Sequence, residues 1–163
     1  MDLLEKLTLK LNRILITIAG CFLIGMILLT CANIFLRIVW VPVRGTFELM
    51  GFFGAVVAAF ALGFTQLSRG HIAVDILFRS FSGRTIRILT GLNNLICGLF
   101  FTVVAWQLAE KGNILRETGE VTETLRIIYY PFTYGAAVGC GFLVLVFARD
   151  LIRTATGPKD DAP

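Results

Sequence analysis

Charged residues are scarce in this sequence. Of its 163 residues, 16% are charged and 56% are hydrophobic, whereas soluble domains carry about 25% charged residues. A soluble globular enzyme is therefore the class that this composition disfavours most. The formal net charge of +4 would suggest a nucleic-acid partner in a soluble protein. Here the basic residues must first be assigned to the two sides of a membrane, and we expect no nucleic-acid partner.

The chain also has few residues that bind metals or carry out catalysis. His71 is its single histidine, and Asp75 lies four residues further on. Stable zinc sites need three or four protein ligands, so we expect this pair to act in capping, an interfacial hydrogen bond or a salt bridge. No Ser-His-Asp order, phosphate-binding glycine loop, HExxH motif or catalytic carboxylate pair is present. The sequence predicts no enzyme, no metal site and no cofactor in this chain.

Four long stretches contain no Asp, Glu, Lys or Arg, namely residues 14–36, 49–68, 88–109 and 127–148. At a rise of about 1.5 Å per residue each reaches roughly 30 to 35 Å, which is enough to cross a hydrocarbon core of about 30 Å. All four cysteines lie within these stretches without a CxxC pair, which favours small buried hydrophobic residues over a disulfide framework. We predict an all-α membrane protein, in which residues 1–163 form one four-helix domain and residues 154–163 a flexible tail.

Basic residues indicate the orientation of these spans. If the chain changes side at each span, ten Lys and Arg fall on the side of the two termini and five on the other. The positive-inside rule then places both termini in the cytoplasm. Every Trp and Tyr lies near the outer end of its span, at Trp40, Trp106, Tyr129, Tyr130 and Tyr134. This one-sided belt supports the alternation of sides. The first apolar stretch is too long for a signal-peptide core, so we expect it to remain in the mature protein.

Small residues mark where the spans approach one another or a partner. Helices in lipid associate through close backbone contact, which small residues at every fourth position permit. The second span has the longest such stripe, and the fourth span has a shorter one; the stripes consist of Gly51, Ala55, Ala59 and Gly63, and of Gly135 and Gly139. Either these faces hold one bundle together, or they dock another protein. The sequence leaves both interpretations open.

Polar residues in the spans do not suggest an ion pathway. Ionisable groups at mid-membrane depth are costly and usually functional, and these spans contain none. The nearest carboxylate is Glu48, at the mouth of the second span, shortly after Arg37 and Arg44. We expect Glu48 to form an ion pair with one of these guanidinium groups, or alternatively to contact a partner.

Three ordered motifs carry a family resemblance. They are an NxxxR motif at Asn33–Arg37, an RGxxE motif at Arg44–Glu48 and the run RGHIAVD at Arg69–Asp75. On a four-span chain of this length, the set resembles the small membrane subunit of tripartite ATP-independent periplasmic (TRAP) transporters, the DctQ-like family, from about residue 10 to residue 153. One departure is the entry of the fourth span. Members of that family often have an Ile-Pro step there, whereas this chain has Ile127-Ile128 and places Pro131 three residues later.

The resemblance implies a bacterial inner-membrane subunit without catalytic activity. In that family the large membrane subunit carries the sodium and substrate sites, and a periplasmic binding protein delivers an organic acid such as a C4-dicarboxylate or sialic acid. The small subunit acts as a fixed scaffold in the lipid beside the large one. We therefore expect no cofactor in this chain, and sodium in the large partner.

Two other functions compete with this expectation. The chain could be a self-sufficient small transporter that works as a homo-oligomer and uses Glu48 for coupling. Small four-helix drug exporters depend on a carboxylate embedded in the membrane, and the position of Glu48 at a span mouth argues against that class. An assembly or signalling membrane protein unrelated to transport is the third possibility. The sequence identifies no substrate under any of the three.

Overall fold

Four long helices make up the part of the chain that the computed structural model describes, which is residues 2–68 and 83–156. We number them α1 (Asp2–Val39), α2 (Thr46–Leu67), α3 (Gly83–Thr118) and α4 (Tyr130–Thr156). Each is long and apolar enough to cross a membrane. The predicted all-α fold with four membrane helices is confirmed, and no strand occurs within the described ranges.

Two of the helices extend well beyond their predicted spans. The apolar segments of α1 and α3 are 34 residues each, which corresponds to about 51 Å at the helical rise per residue. The chain before residue 14 continues into the first span as one helix. Because a bilayer's hydrocarbon core is about 30 Å thick, the ends of α1 and α3 extend past it or the helices tilt.

The fourth helix begins later than the expected start of its span at residue 127. Ile128 forms an isolated antiparallel bridge with Val121, and α4 starts at Tyr130. Pro131 lies in the first turn of α4, where a residue without an N–H leaves no helical hydrogen bond unmade. The entry of the fourth span is therefore a short paired segment followed by a proline-containing first turn.

Several expectations concern residues outside the described ranges. These are His71 and Asp75, the RGHIAVD motif that contains them, and residues 157–163 of the predicted tail. They stay predictions. The first three residues of that predicted tail, 154–156, instead form the end of α4.

The helices pack around α4, which contacts each of the other three. The described contacts of α3 with other helices are chiefly with α4, whereas α1 and α2 pack against each other as well as against α4. A core forms where α1, α2 and α4 meet, and its buried members are Leu15, Ala19, Val56, Ala59, Phe60, Phe142 and Val146. In the most apolar 18-residue stretches of α1 and α3, only 11% and 6% of the residues are buried inside the chain. These two helices therefore present most of their apolar surface outward.

Candidate functional site

The first and third connections meet at one end of the bundle. We call this the connection end; it comprises residues 40–45, between α1 and α2, and residues 119–129, between α3 and α4. Of the polar residues that the sequence singled out, Arg44 lies here, and Asn33, Arg37 and Glu48 lie on the adjoining ends of α1 and α2. The geometry of this end therefore tests several of the expectations above.

The third connection folds into a small hairpin. Beside the bridge between Val121 and Ile128, the amide N–H of Thr122 donates to the carbonyl of Ile127 at 2.9 Å. The Ile127 N–H in turn donates to the hydroxyl oxygen of Thr122 at 3.1 Å. Thr122 is only 2% exposed, so its hydroxyl replaces water as the partner of a backbone group. We refer to residues 119–129 as the hairpin.

Glu48 attaches the tip of this hairpin to the start of α2. One carboxylate oxygen accepts a hydrogen bond from the N–H of Thr124 at 2.8 Å, and the other accepts one from the N–H of Leu125 at 3.1 Å. The side chains of Thr122 and Thr124 also lie beside the carboxylate and favour its charged form. A charged acceptor makes such bonds stronger than neutral ones. Glu48 thereby connects α2 to a segment more than 70 residues further along the chain.

The expected ion pair of Glu48 with Arg37 or Arg44 is not what the structure shows. Within the described ranges the Glu48 carboxylate contacts the hairpin, and both arginine side chains are exposed. The reason is geometric, since the turn at residues 123–125 presents two amide N–H groups to one carboxylate. Sequence reasoning missed Thr122, Thr124 and Leu125 because their role depends on a contact between distant segments.

A glycine at the end of the first connection allows the hairpin to approach this closely. Gly45 has a φ of 75°, a left-handed conformation that glycine adopts without strain. A Cβ atom at this position would collide with the side chain of Leu125. The RGxxE motif therefore places its glycine under the hairpin and its carboxylate on the hairpin's tip.

Asn33 fixes the first connection from the α1 side. Its side-chain oxygen accepts a hydrogen bond from the N–H of Val43 at 2.9 Å, ten residues along the chain. The hydroxyl of Thr46 donates to the Val43 carbonyl at 2.8 Å, and Thr46 is buried. Asn33 is thus a structural polar residue of the connection end.

Exposed charges of both signs surround the connection end. Besides Arg37 and Arg44, the exposed residues include acidic positions at the end of α3 and in the hairpin, namely Glu117, Glu120 and Glu123. This end therefore offers charged groups to solvent or to another protein.

The small-residue stripe of α2 divides between two environments. Ala59 is buried against Gly139 of α4, where a Cβ atom on the glycine would lie 2.8 Å from the Cβ of Ala59. Gly63 lies against Phe142 of α4. In contrast, Gly51 and Ala55 are exposed, and a Cβ at Gly51 would meet nothing within 4 Å. Residues four apart differ by about 40° around a helix. Over its full length the stripe therefore rotates, so that Ala59 and Gly63 face α4 whereas Gly51 and Ala55 face outward.

The stripe of α4 faces α2. A Cβ on Gly135 would lie 3.4 Å from the Cγ2 of Val56, and Gly139 is in close contact with Ala59 and Phe60. Of the two roles considered for small residues, packing inside the bundle applies to Ala59, Gly63, Gly135 and Gly139. The exposed pair on α2 has no such role within the described chain.

Other polar contacts join the helices near the opposite end. Gln66 of α2 donates to the carboxylate of Asp150 on α4 at 3.2 Å, and the Nε of Arg87 on α3 donates to the Thr154 carbonyl at 2.6 Å. Within residues 2–68 and 83–156, no three His, Cys, Asp or Glu side chains come together as a group able to hold a metal ion. The arrangement can join helices and present docking surfaces, and the described part shows no constellation suited to bond-making chemistry.

A comparison with known families agrees with this arrangement. Residues 26–157 match the model of the family described as "Tripartite ATP-independent periplasmic transporters, DctQ component". This match covers all four helices except the first part of α1. No curated protein and no solved structure matches the chain. Together with the four membrane helices, the match shows that this chain belongs to the DctQ family, the small membrane subunits of TRAP transporters.

Proposed function

We propose that this chain is a non-catalytic scaffold subunit that pairs with the large membrane subunit of a sodium-coupled TRAP transporter. Sodium and substrate would bind to the large subunit. A periplasmic binding protein would deliver an organic acid of the C4-dicarboxylate or sialic acid type. Membership of the DctQ family supports the assignment to a TRAP transporter. The contacts of Glu48 and the exposed small residues of α2 support the scaffold role.

The state of Glu48 is the observation that carries the proposal. A self-sufficient transporter that couples through Glu48 needs this carboxylate to bind and release a cation or a proton. The Glu48 carboxylate instead accepts hydrogen bonds from two backbone amides of the hairpin. A carboxylate held in this way is a structural link, which counts against coupling through Glu48.

The outward surface of the bundle supports pairing with a larger membrane protein. The apolar faces of α1 and α3 are mostly unburied, and Gly51 and Ala55 leave an open, flat strip on α2. Close helix approach in lipid requires such small residues. The bundle would support a large subunit that changes conformation. Its own helices would keep their arrangement, because α4 contacts each of the other three.

The connection end would face the periplasm and the termini the cytoplasm, in the bacterial inner membrane. This orientation rests on the excess of Lys and Arg on the side of the termini. The exposed guanidinium groups of Arg37 and Arg44 and the acidic residues around the hairpin would then be available to the binding protein.

Reconstitution into liposomes tests the proposal. Proteoliposomes would contain the large subunit from the same transporter, with or without this chain, and would receive the binding protein, labelled organic acid and a sodium gradient. We expect uptake only when this chain is present, and no uptake by liposomes that contain this chain alone. Full uptake without the chain would refute the scaffold role, and solute flux through the chain alone would favour the self-sufficient transporter.

A further inference from the structure

The surface of α3 that faces away from α4 consists of two chemically different flanks. We call one the amide flank; its members are Asn93, Ile96, Phe100, Val103 and Gln107. The other is the apolar flank, with Ile88, Leu92, Leu95, Leu99 and Trp106. All ten side chains are exposed, and the 100° rotation per residue places the two sets on adjacent sides of the helix. The flanks therefore differ in chemistry and not in burial.

Lipid suits only the apolar flank. Asn93 accepts a weak hydrogen bond from the sulfur of Cys97 at 3.8 Å, and within the described residues its NH2 group donates to no acceptor. The amide of Gln107 makes no hydrogen bond within the same ranges. Asn93 lies inside the span 88–109, where a primary amide without a partner is costly in hydrocarbon, whereas Gln107 lies at the outer end of that span beside Trp106. Amides that meet a polar group on another helix stabilise helix association. A protein helix is therefore the better neighbour for the amide flank.

The spacing on this flank defines the kind of helix that fits. Asn93, Phe100 and Gln107 are seven residues apart, and Ile96 and Val103 lie between them on the same side. This is the heptad pattern of a left-handed helix pair that crosses at about 20°. The two amides are about 21 Å apart along the axis at 1.5 Å per residue.

We infer that the amide flank of α3 binds one transmembrane helix of the large subunit. That helix presents two hydrogen-bonding groups about 21 Å apart, opposite Asn93 and Gln107, with apolar residues between them that pack around Phe100. The apolar flank faces lipid. This inference rests on the proposed function and adds a contact surface on α3 to the strip at Gly51 and Ala55 on α2. The large subunit is the expected partner because DctQ proteins are components of tripartite transporters.

Two isomeric side chains offer a matched pair of test positions. Ile96 and Leu99 are 58% and 61% exposed and belong to different flanks, so truncation of either to alanine removes similar apolar area. The test set is Ile96→Ala, Leu99→Ala, Asn93→Leu, Gln107→Leu and the double amide variant. Each would be co-expressed with the large subunit, and the amount of large subunit retained by the tagged chain would be measured in nanodiscs. Thermal unfolding of each variant without the partner would serve as the folding control, and we expect no loss because the side chains are exposed.

We expect each amide substitution to weaken association about threefold and the double substitution about tenfold, since interhelical hydrogen bonds in membranes have modest strength. Ile96→Ala should weaken association more than Leu99→Ala. Wild-type retention by the double amide variant, or equal effects of the two truncations, would overturn the assignment of the flank. If the wild-type chain retains no large subunit at all, the proposed function fails together with this inference. If the wild-type chain retains the large subunit and the variants do so equally well, only this inference fails.

Cysteine cross-linking distinguishes the large subunit from a second copy of the chain. In a background in which Cys21, Cys31, Cys97 and Cys140 are replaced by alanine, because all four are free thiols, Phe100→Cys should form a disulfide with a cysteine scanned along a helix of the large subunit. Leu99→Cys should form none. A disulfide-linked homodimer through Phe100→Cys, without linkage to the large subunit, would mean that the flank binds another copy and would refute the inference.

Discussion

At the scale of single residues, Glu48 is the link between α2 and the hairpin, and we predict that Glu48→Ala loosens the hairpin. The N–H groups of Thr124 and Leu125 lose their acceptor and become open to exchange with solvent. Hydrogen–deuterium exchange should show faster labelling of residues 122–127 in Glu48→Ala. Arg44→Ala is the control and should leave that labelling unchanged, because Arg44 makes no ion pair with Glu48 in the described structure. Equal exchange in Glu48→Ala and wild type would contradict the role given to this carboxylate.

Gly45 is the second residue on which the connection end depends. We predict that Gly45→Ala destabilises the chain by about 1–2 kcal/mol, the cost of a left-handed backbone in a residue with a Cβ, with a further loss from the collision with Leu125. Thermal unfolding in detergent measures the effect. The double variant Gly45→Ala/Leu125→Ala removes the collision but keeps the backbone cost, so it should lose less than the two single variants together. Additive losses would show that the two residues are independent.

At the scale of elements, the α2–α4 contact is set by the small residues that both helices place there. We predict that Ala59→Leu destabilises the isolated chain by about 1–3 kcal/mol, which is typical of overpacking, since Ala59 is 6% exposed and lies against Gly139. Ala55→Leu on the same helix is the matched control. Ala55 is exposed, so its substitution should leave unfolding of the isolated chain unchanged and reduce association with the large subunit instead. Loss of stability in both variants would mean that the stripe acts as one packing face.

Asn33 holds α1 and the first connection together, and its loss tests that contact. We predict that Asn33→Leu costs about 1–3 kcal/mol because the N–H of Val43 is left without its acceptor. Asn33→Asp preserves an acceptor oxygen and should retain most of the stability. Unfolding curves of the two variants in the same detergent provide the comparison, and an equal loss in both would argue against the hydrogen bond as the cause.

At the scale of the whole molecule, the excess of basic residues on the side of the termini predicts that both termini are cytoplasmic. The described structure is compatible with termini on one side, because the first and third connections meet at one end. Reporter fusions that are active only in the cytoplasm or only in the periplasm test this. Fusions after residue 163 should give the cytoplasmic signal, and insertions in the first connection should give the periplasmic one. The opposite pair of signals would reverse the orientation of every surface assigned above.

Much of the fold was predictable because membrane spans are encoded locally. An apolar run of 20 residues forms a helix in lipid since each backbone group must find its partner within the segment, and the four helices contain the predicted spans almost entirely. The start of α4 was predicted three residues too early because Ile127 and Ile128 are as apolar as the helix that follows. Ile127 and Ile128 pair with Thr122 and Val121 on the other arm of the hairpin, which composition does not reveal.

The candidate site was predictable only in part. The sequence singled out Glu48 and Asn33 as structural polar residues, and in the structure each accepts hydrogen bonds from backbone amides. Their partners could not be assigned, because Glu48 had two guanidinium groups nearby in sequence and its actual partners are backbone amides at residues 124 and 125. A backbone amide has no sequence signature, so such a partner escapes any search for complementary side chains.

The amino-acid sequence alone determined the number of membrane helices, the scarcity of charge inside them and the family to which the chain belongs. These properties depend on composition and on local order along the chain. The tertiary structure decided which half of the α2 stripe is buried, what Glu48 binds, and which surfaces of α3 remain open. Those outcomes depend on how helices rotate against one another, and this rotation follows from contacts between residues that are far apart in the chain.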